Sequence, residues 1–382
     1  PPFSTTIQEE GVQINNFKLV AEGVLQESAM LALLSGGAYP SRNPSQNMAD
    51  LRAQLAANEK GVQELTKMVA EFGLEVVQAY MGHVQDNAEE SVRRVITRLR
   101  NGAFTLPLDN GAQIQVAVRV DAENRSAEID FTGTSPQQTN NFNAPTAVCM
   151  AAVLYVFRSL VNDDIPLNAG CLKPLNVIIP SGCMLNPNFP ASVVAGNVET
   201  SSCITNALFG ALGVMAGSQP TMNNFTFGNA KYQYYETISG GSGAGVELDD
   251  DGQVCAGFNG TSVVQTNMTN SRLTDPEILE FRFPVRLESY SLRQGSGGTG
   301  KWQGGMGGVR CIRFLEPMTA GILSNGRVFP AFGAAGGQPG ALGINRVKRL
   351  NGDVEDLNHI GQVEMAPGDI FEIQRLGAVV LA

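Results

Sequence analysis

From Asn47 onward the apolar positions recur with a helical period. Leu51, Leu55, Val62, Leu65, Val69 and Phe72 fall three, four and seven apart, a single stripe that Gly73 stops. Leu74, Val77, Met81, Val84, Ala88, Val92, Val95 and Ile96 form a second stripe ending near Asn101-Gly102. The spacing predicts two helices joined at a glycine, with Arg94 and Arg98 on a solvated face of the second. The period then drops to two. "AQIQVAVRVD" and "RSAEIDFTGT" alternate apolar and polar residues around the turn-former "DAENR", predicting a β-hairpin with one wet face. "NAPTAVCMAAVLYVFRSLV" returns to a helical pattern, with Asn143 as its cap and Pro145 in the first turn. "PLNVIIPSGCMLNP" reads as a buried strand and "NVETSSCITNALFGALGVMAG" as another helix.

Past about residue 220 the apolar runs shorten to "YQYYETI", "RFPVRLESYSL", "VRCIRFLE" and "DIFEIQRL". Most of the chain's 43 glycines lie among them, so tight turns and close backbone approaches are expected. The expected class is α+β: a helical first half with a β-hairpin, then a glycine-rich, β-dominated second half. Its expected divisions are an extended entry segment (1–46), a helical hairpin (47–102), a mixed α/β region (103–220) and a glycine-rich β region (221–382).

Of the 382 residues, 43% are hydrophobic and only 16% charged, a globular balance. So little charge on a chain of this size predicts a homo- or hetero-oligomer that buries surface. The net charge is −10, and the densest basic run, Arg93-Arg94 with Arg98 and Arg100, is too short to follow a phosphate backbone, so no nucleic acid is expected. No apolar run of about 18 residues predicts a membrane span. The opening "PPFSTTIQEEG" is neither basic nor apolar, unlike a signal peptide; it begins without Met and reads as the downstream part of a longer chain. Six cysteines without a C-x-x-C predict free buried thiols in a cytoplasmic protein. His83 and His359, the only histidines, give a metal site or a Ser–His–Asp triad little to work with; no metal ligand is assigned.

"GSGGTGK", Gly295 to Lys301, has the letters of a phosphate loop. Trp302 stands where a Ser or Thr would meet magnesium, and "QGGMGG" cannot open a helix, so glycine-rich turns are expected. "SGGSGAG" follows Tyr235-Glu236; the Gly240-Gly241 backbone could cradle an anion or simply turn between strands. Asn197 precedes a helix start, whose free N–H groups suit a carboxylate or phosphate but also suit plain capping. The densest polar run is Gln265, Thr266, Asn267, Thr269, Asn270, Ser271 and Arg272. Thr274 and Glu277 have capping-box spacing, which would fix the following helix start. The run reads either as a solvated loop or as the polar wall of a small-molecule site, with Arg272 gripping a carboxylate.

"DLRAQLAANEKG", "YVFRSLVNDDIPLNAGCLKPLNVIIPSG", "GNVETSS", "MNNFTFGNA", "YYETISGGSGAG", "MTNSRLTDPEILE" and "GSGGTGKWQGGMGG" resemble, in that order, the B-type component of the hydantoinase B/5-oxoprolinase family. The likeness runs over nearly the whole chain. "VVQAYMGHVQDNAE" and "TDPEILE" are most similar to the C-terminal part of 5-oxoprolinase. The resemblance implies an ATP-dependent hydrolase of cyclic amides of the 5-oxoproline or hydantoin kind. An A-type subunit or domain binds ATP and Mg and phosphorylates the lactam; the B-type part, holding no cofactor of its own, takes the activated ring and completes hydrolysis. Acetone and acetophenone carboxylases share the architecture, which makes a ketone carboxylase component the alternative reaction.

Two departures from the family pattern stand out. The family's upstream His- and Asp-containing segments, which would supply a divalent metal's ligands and catalytic groups, lie before "PPFSTT". Where the family has H-x-H-M-T-N, this chain has Gln265-Thr266-Asn267-Met268-Thr269-Asn270. An amide holds a substrate by hydrogen bonds but does not shuttle a proton near neutral pH. A non-catalytic scaffold or regulatory homologue is therefore a further alternative. The expected substrate-binding set is Asn267, Thr269, Asn270, Arg272, Tyr235, Glu236, Gly240, Gly241 and Asn197, with no catalytic residue assigned.

Overall fold

The computed structural model describes residues 2–377. Short strands β1 (Val20–Ala21) and β2 (Val24–Leu25) and helix α1 (Glu27–Ser35) lead into the predicted pair α2 (Pro44–Phe72) and α3 (Leu74–Ile96). Asn43 starts α2 by accepting the Gln46 N–H at 3.2 Å, and Gly73 breaks the run at φ 84°. Helix α3 packs inward mainly over its last turns, through Ala88, Val92, Val95 and Ile96, with Val77 buried near its start. The predicted stripes otherwise face water: Val62, Leu65, Phe72, Leu74, Met81 and Val84 are all exposed. Among the described residues no helix is long and apolar enough to cross a membrane.

The first core is built on a four-stranded sheet in the order β3 (Gly102–Pro107), β4 (Gln113–Asp121), β5 (Ser126–Asp130), β6 (Leu175–Ile178). The β4–β5 hairpin is the one predicted, and β4 alternates buried and exposed residues along its length. Strand β3 was unassigned from the pattern. The strand expected over "PLNVIIPSGCMLNP" shrinks to β6, because Pro180 and Gly182 turn the chain. Helices α4 (Thr146–Ser159) and α5 (Ser201–Leu212) cover the sheet. Gly102 lets α5 approach: a Cβ there would lie 1.9 Å from the Ala211 carbonyl. Asn143 does not cap α4, whose N-terminal residue Pro145 has no side-chain cap. Asn143 is instead fully buried, donating to the carbonyls of Gln138, Asn140 and Ser192 and so tying three loop positions together.

The glycine-rich half is a sandwich of two antiparallel sheets beside a small hairpin, β9 (Gly245–Leu248) and β10 (Val254–Phe258). One sheet has the order β16 (Ile360–Met365), β13 (Met318–Leu323), β7 (Asn224–Gly228), β8 (Gln233–Thr237). The other runs β11 (Val285–Leu292), β12 (Gly308–Phe314), β17 (Ile370–Gln374), β14 (Ile344–Lys348), β15 (Val354–Leu357). Their inner faces meet in an aromatic core, with Phe225 against Phe371 at 4.7 Å and Phe227 against Phe314 at 5.4 Å between ring centres. Burying each such ring stabilises by roughly 1.5–3 kcal/mol. Helix α6 (Pro276–Arg282) closes one side, and its cap is Asp275, which accepts the Glu277 N–H at 2.9 Å. The cap expected from Thr274 is thus displaced by one residue.

At one end this inner face turns polar. Arg310 follows the inward alternation of Phe314 and Ile312, Glu236 that of Tyr234, and Arg375 that of Phe371 and Ile373. Arg310 and Glu236 pair in the dry interior, Nε to Oε1 at 2.8 Å and Nη2 to Oε2 at 3.0 Å. The Tyr234 hydroxyl donates to the same carboxylate at 2.9 Å.

The polar end abuts α5. One π-helical turn, Gly196–Thr200, precedes that helix and places Glu199 in the seam between the two cores. Glu199 is fully buried. Its Oε1 accepts from Thr221 Oγ1 and Asn224 Nδ2, each at 2.7 Å, and from the Met222 N–H at 3.2 Å; Oε2 accepts from Asn325 Nδ2 at 3.3 Å. Burial pushes the carboxyl up to about 8, against the pull of Thr221, Arg327, Met222 and Asn325. A folded-state value above the unfolded one means the native protein holds a proton the unfolded chain has released. This contribution to stability is full at pH below the usual carboxyl range and is lost as pH rises toward 8, by at most about 1.4 kcal/mol per pH unit. His359, lowered by burial, acts in the opposite sense around and below its ordinary range, so the window above pH 6.5 isolates Glu199.

Two outcomes are expected. The melting temperature of the wild type falls between pH 6.5 and 8, and Glu199→Gln flattens that slope in parallel thermal melts; equal slopes would contradict the assignment. Arg310→Met, which strands the Glu236 carboxylate, lowers unfolding stability by roughly 3–5 kcal/mol in denaturant titration.

Candidate functional site

A cleft of about 940 Å³ opens where the first core meets the sandwich, and the predicted polar run forms one wall of it. Gln265, Thr266, Asn267, Thr269 and Asn270 line this wall. Facing them are Tyr155 and Ser159 of α4, Phe209 of α5, Ser218, Ser242 and the β9–β10 hairpin. Arg98, expected on a solvated face, lines the cleft as well and pairs with Asp250.

The wall is held from behind by backbone and amide bonds. Val264 donates to the Gly240 carbonyl at 2.8 Å, and the Gln219 N–H to that of Gly241 at 3.1 Å. Close by, Gly243 is needed, since a Cβ there would lie 2.0 Å from the Ala216 carbonyl. Asn206 of α5 is the central clamp. It donates to the Ser218 carbonyl at 2.8 Å and accepts from the Ser218 N–H at 3.2 Å and from Asn267 Nδ2 at 3.4 Å. The Asn267 N–H meets the phenol of Tyr155, which burial raises above its ordinary value. Two residues of the run are strained: Val263 at φ 50° and Asn267 at φ 56°. For a β-branched valine this left-handed backbone is uncommon, and such positions cluster at ligand sites.

One side chain offers an unspent group. Gln265 Nε2 donates to the Thr237 carbonyl (3.4 Å) and hydroxyl (3.3 Å), which fixes the amide's orientation. Its Oε1 is buried at the cleft with no partner. A buried acceptor without a donor is disfavoured by roughly 1–3 kcal/mol.

The other expected site residues fall elsewhere. Tyr235 lies on a separate cavity of about 220 Å³ with Val194 and Val198, the residues that bracket the turn carrying Asn197. Its hydroxyl donates to Asn224 Oδ1 at 2.7 Å. Asn197 itself is exposed, and its carbonyl accepts from Ser201 Oγ. Glu236 is committed to Arg310 inside the sandwich. Arg272 is exposed and outside the cleft lining. Gly240 and Gly241 support the wall from behind. Asn206, Ser218, Ser242 and Tyr155 fall outside the expected set; of these, only Asn206 carries a sequence signal, a carboxamide on a wholly buried stretch of helix. Gly295–Lys301 belongs to the loop joining β11 and β12, which no helix follows among the described residues. Nor do His, Cys, Asp and Glu side chains gather there in a group of three or more fit to hold a metal.

The family model described as Hydantoinase B/oxoprolinase matches residues 1–378. The chain is 44% identical to 5-oxoprolinase 1 of Arabidopsis thaliana over 98% of its own length, and spans 31% of that relative. In fold it is similar to an ATP-dependent caprolactamase from Pseudomonas jessenii, with a TM-score of 0.76, 21% identity, and coverage of 96% of this chain and 66% of the other. It is also similar to the nucleotide-free structure of an acetone carboxylase, with a TM-score of 0.78, 15% identity, and coverage of 96% and 56%. The α+β architecture with its glycine-rich sandwich is thus one shared with those enzymes, and the chain belongs to the hydantoinase B/oxoprolinase family.

Proposed function

We propose that this chain is the ring-holding part of an ATP-dependent cyclic-amide hydrolase of the 5-oxoprolinase type. An A-type partner, fused or separate, would supply ATP and the activated lactam. The observation that carries the reading is the unpartnered Oε1 of Gln265, a residue of the cleft wall, which a small turn of the side chain would open to a ligand. A lactam presents an N–H donor and a carbonyl acceptor on one edge of a small ring. Gln265 Oε1 takes the N–H. The carbonyl edge meets the neighbouring donors: the Thr269 hydroxyl and the Asn270 amide of the same wall. An alkyl-rimmed cleft with a few fixed polar groups suits a small ring.

The wall positions; it does not transfer protons. Its side chains are amides and hydroxyls, none of which titrates near neutral pH. In this reading proton transfer falls to groups outside the wall, and the wall contributes orientation and exclusion of water. Ligand binding also relieves the buried acceptor and helps to offset the backbone strain at Val263 and Asn267.

Gln265→Leu, which keeps the volume and removes the acceptor, raises KM for the cyclic amide about tenfold and changes kcat little. Steady-state kinetics of 5-oxoproline turnover with ATP in the intact enzyme would read this, and an unchanged KM would reject the role of Gln265. Arg272→Ala serves as the contrast. Lying outside the cleft, it shifts KM by less than about twofold; a large rise would restore the carboxylate-gripping role expected from sequence.

A further inference from the structure

Arg375 is the least explained charge in the molecule. It continues the inward face of β17 beyond Phe371 and Ile373, and it is fully buried. Its Nε, Nη1 and Nη2 all lack a hydrogen-bond partner. A guanidinium carries five donors and stays protonated, so leaving it alone in a dry interior is disfavoured by several kcal/mol. Natural interiors do not keep such a group without a counter-charge.

The nearby carboxylates are already committed. Glu236 is held by two guanidinium nitrogens of Arg310 and by the Tyr234 hydroxyl. Glu199 is saturated by Thr221, Met222, Asn224 and Asn325. Glu372, also on β17, points to the opposite face, where Lys348 and Gln374 hold it. Asp109 is taken by the backbone N–H groups of Arg327, Val328 and Phe329. Arg327 opposes the Arg375 charge while Tyr290, Glu236 and Glu199 favour it from a distance, none of them bonding to it, and the buried Nε of Arg327 is also unpartnered. Two guanidinium groups with free donors thus lie within electrostatic reach of each other, and the carboxylates around them are bonded to other groups.

We propose that Arg375 is the receptor for a small oxyanion, a carboxylate or a phosphate, enclosed at the polar end of the sandwich, with the free Nε of Arg327 as a second donor. The planar fork of Arg375 matches two oxygens of either group. The Tyr290 ring stacks on neighbouring Arg310, with its centroid 5.5 Å from that guanidinium, and bonds Ser239 at 3.0 Å, so Tyr290 and Ser239 line the same end of the sandwich without supplying a negative charge. This site is separate from the Gln265 wall and requires nothing of the cyclic-amide reading.

Thermal unfolding of the intact protein tests it without an activity assay, since an ion bound only by the folded state raises the melting temperature with concentration. Melts would be run in sodium HEPES, an anion too bulky to be enclosed, at constant ionic strength. Inorganic phosphate and acetate would be titrated separately. A saturable rise of several degrees is expected with at least one of them. Whichever saturates at the lower concentration names the source, a free phosphate or a ligand's carboxylate. Arg375→Met abolishes the rise, and Arg375→Lys, which keeps the charge but loses the fork, weakens it at least tenfold in midpoint concentration. A wild-type melting temperature indifferent to both anions overturns the site. So does an undiminished rise in Arg375→Met or, should that variant not fold, in Arg375→Lys.

Discussion

Glu199 sits where helix α5 meets the sandwich, and four donors from two separate segments converge on its carboxyl. Thr221, Met222 and Asn224 come from the chain entering β7, and Asn325 from the chain leaving β13. A buried acidic group is tolerated only when its lone pairs are met, so these segments have little freedom to drift relative to α5. Asn206, two helical turns further on, does the same for Ser218 and Asn267. The spacing between these two residues on one helix sets the spacing between the sandwich and the cleft wall. In this sense the geometry of the cleft wall is inherited from a polar spine and only secondarily from the apolar cores on either side of it.

That spine explains why the chain is so rich in glycine. Backbone strands packed around buried amides must approach more closely than a Cβ permits. Gly243 against the Ala216 carbonyl is one case, and Gly102 against the Ala211 carbonyl is another on the far side of α5. Neither position needs a left-handed backbone; each needs the absence of a side chain. The composition thus records close packing of main chain on main chain in addition to sharp turns.

Much of the scaffold was legible because it follows simple periods. The α2–α3 pair and its break at Gly73, the β4–β5 hairpin, α5 and the strand runs of the second half all appear where the pattern places them. The failures share a cause. Asn143, Thr274 and Arg98 were read by their neighbours in sequence, whereas their environments are fixed by segments far away: Ser192 for Asn143 and Asp250 for Arg98. Thr274 lost its cap role to Asp275 because a side chain one place nearer the helix reaches the same N–H. The polar run at 265–270 was visible as a composition anomaly. Its partners were not, since Asn206 and Tyr155 sit on helices whose apolar runs dominate the pattern. Tyr235 and Glu236 are adjacent in sequence but point to opposite faces of β8, one to an outer cavity and one to the sandwich interior. Alternation in a strand separates neighbours that a linear reading groups together.

The same alternation bears on how charge came to lie inside the sandwich. On β8, β12 and β17 the inward positions are aromatic or aliphatic at one end and Glu236, Arg310 and Arg375 at the other. A sheet that buried only hydrocarbon would be at least as stable there, because replacing buried ion pairs by apolar residues is commonly neutral or favourable. Charges placed at one end only, on strands from both sheets, and beside the seam that carries Glu199, are hard to reconcile with a purely packing role. They form a fixed electrostatic environment next to the cleft, shielded from water, where a charge is felt more strongly than at the surface. The amide-and-hydroxyl wall of the cleft lies beside this field, and the excess of guanidinium over free carboxylate gives it a positive sign until an oxyanion is bound.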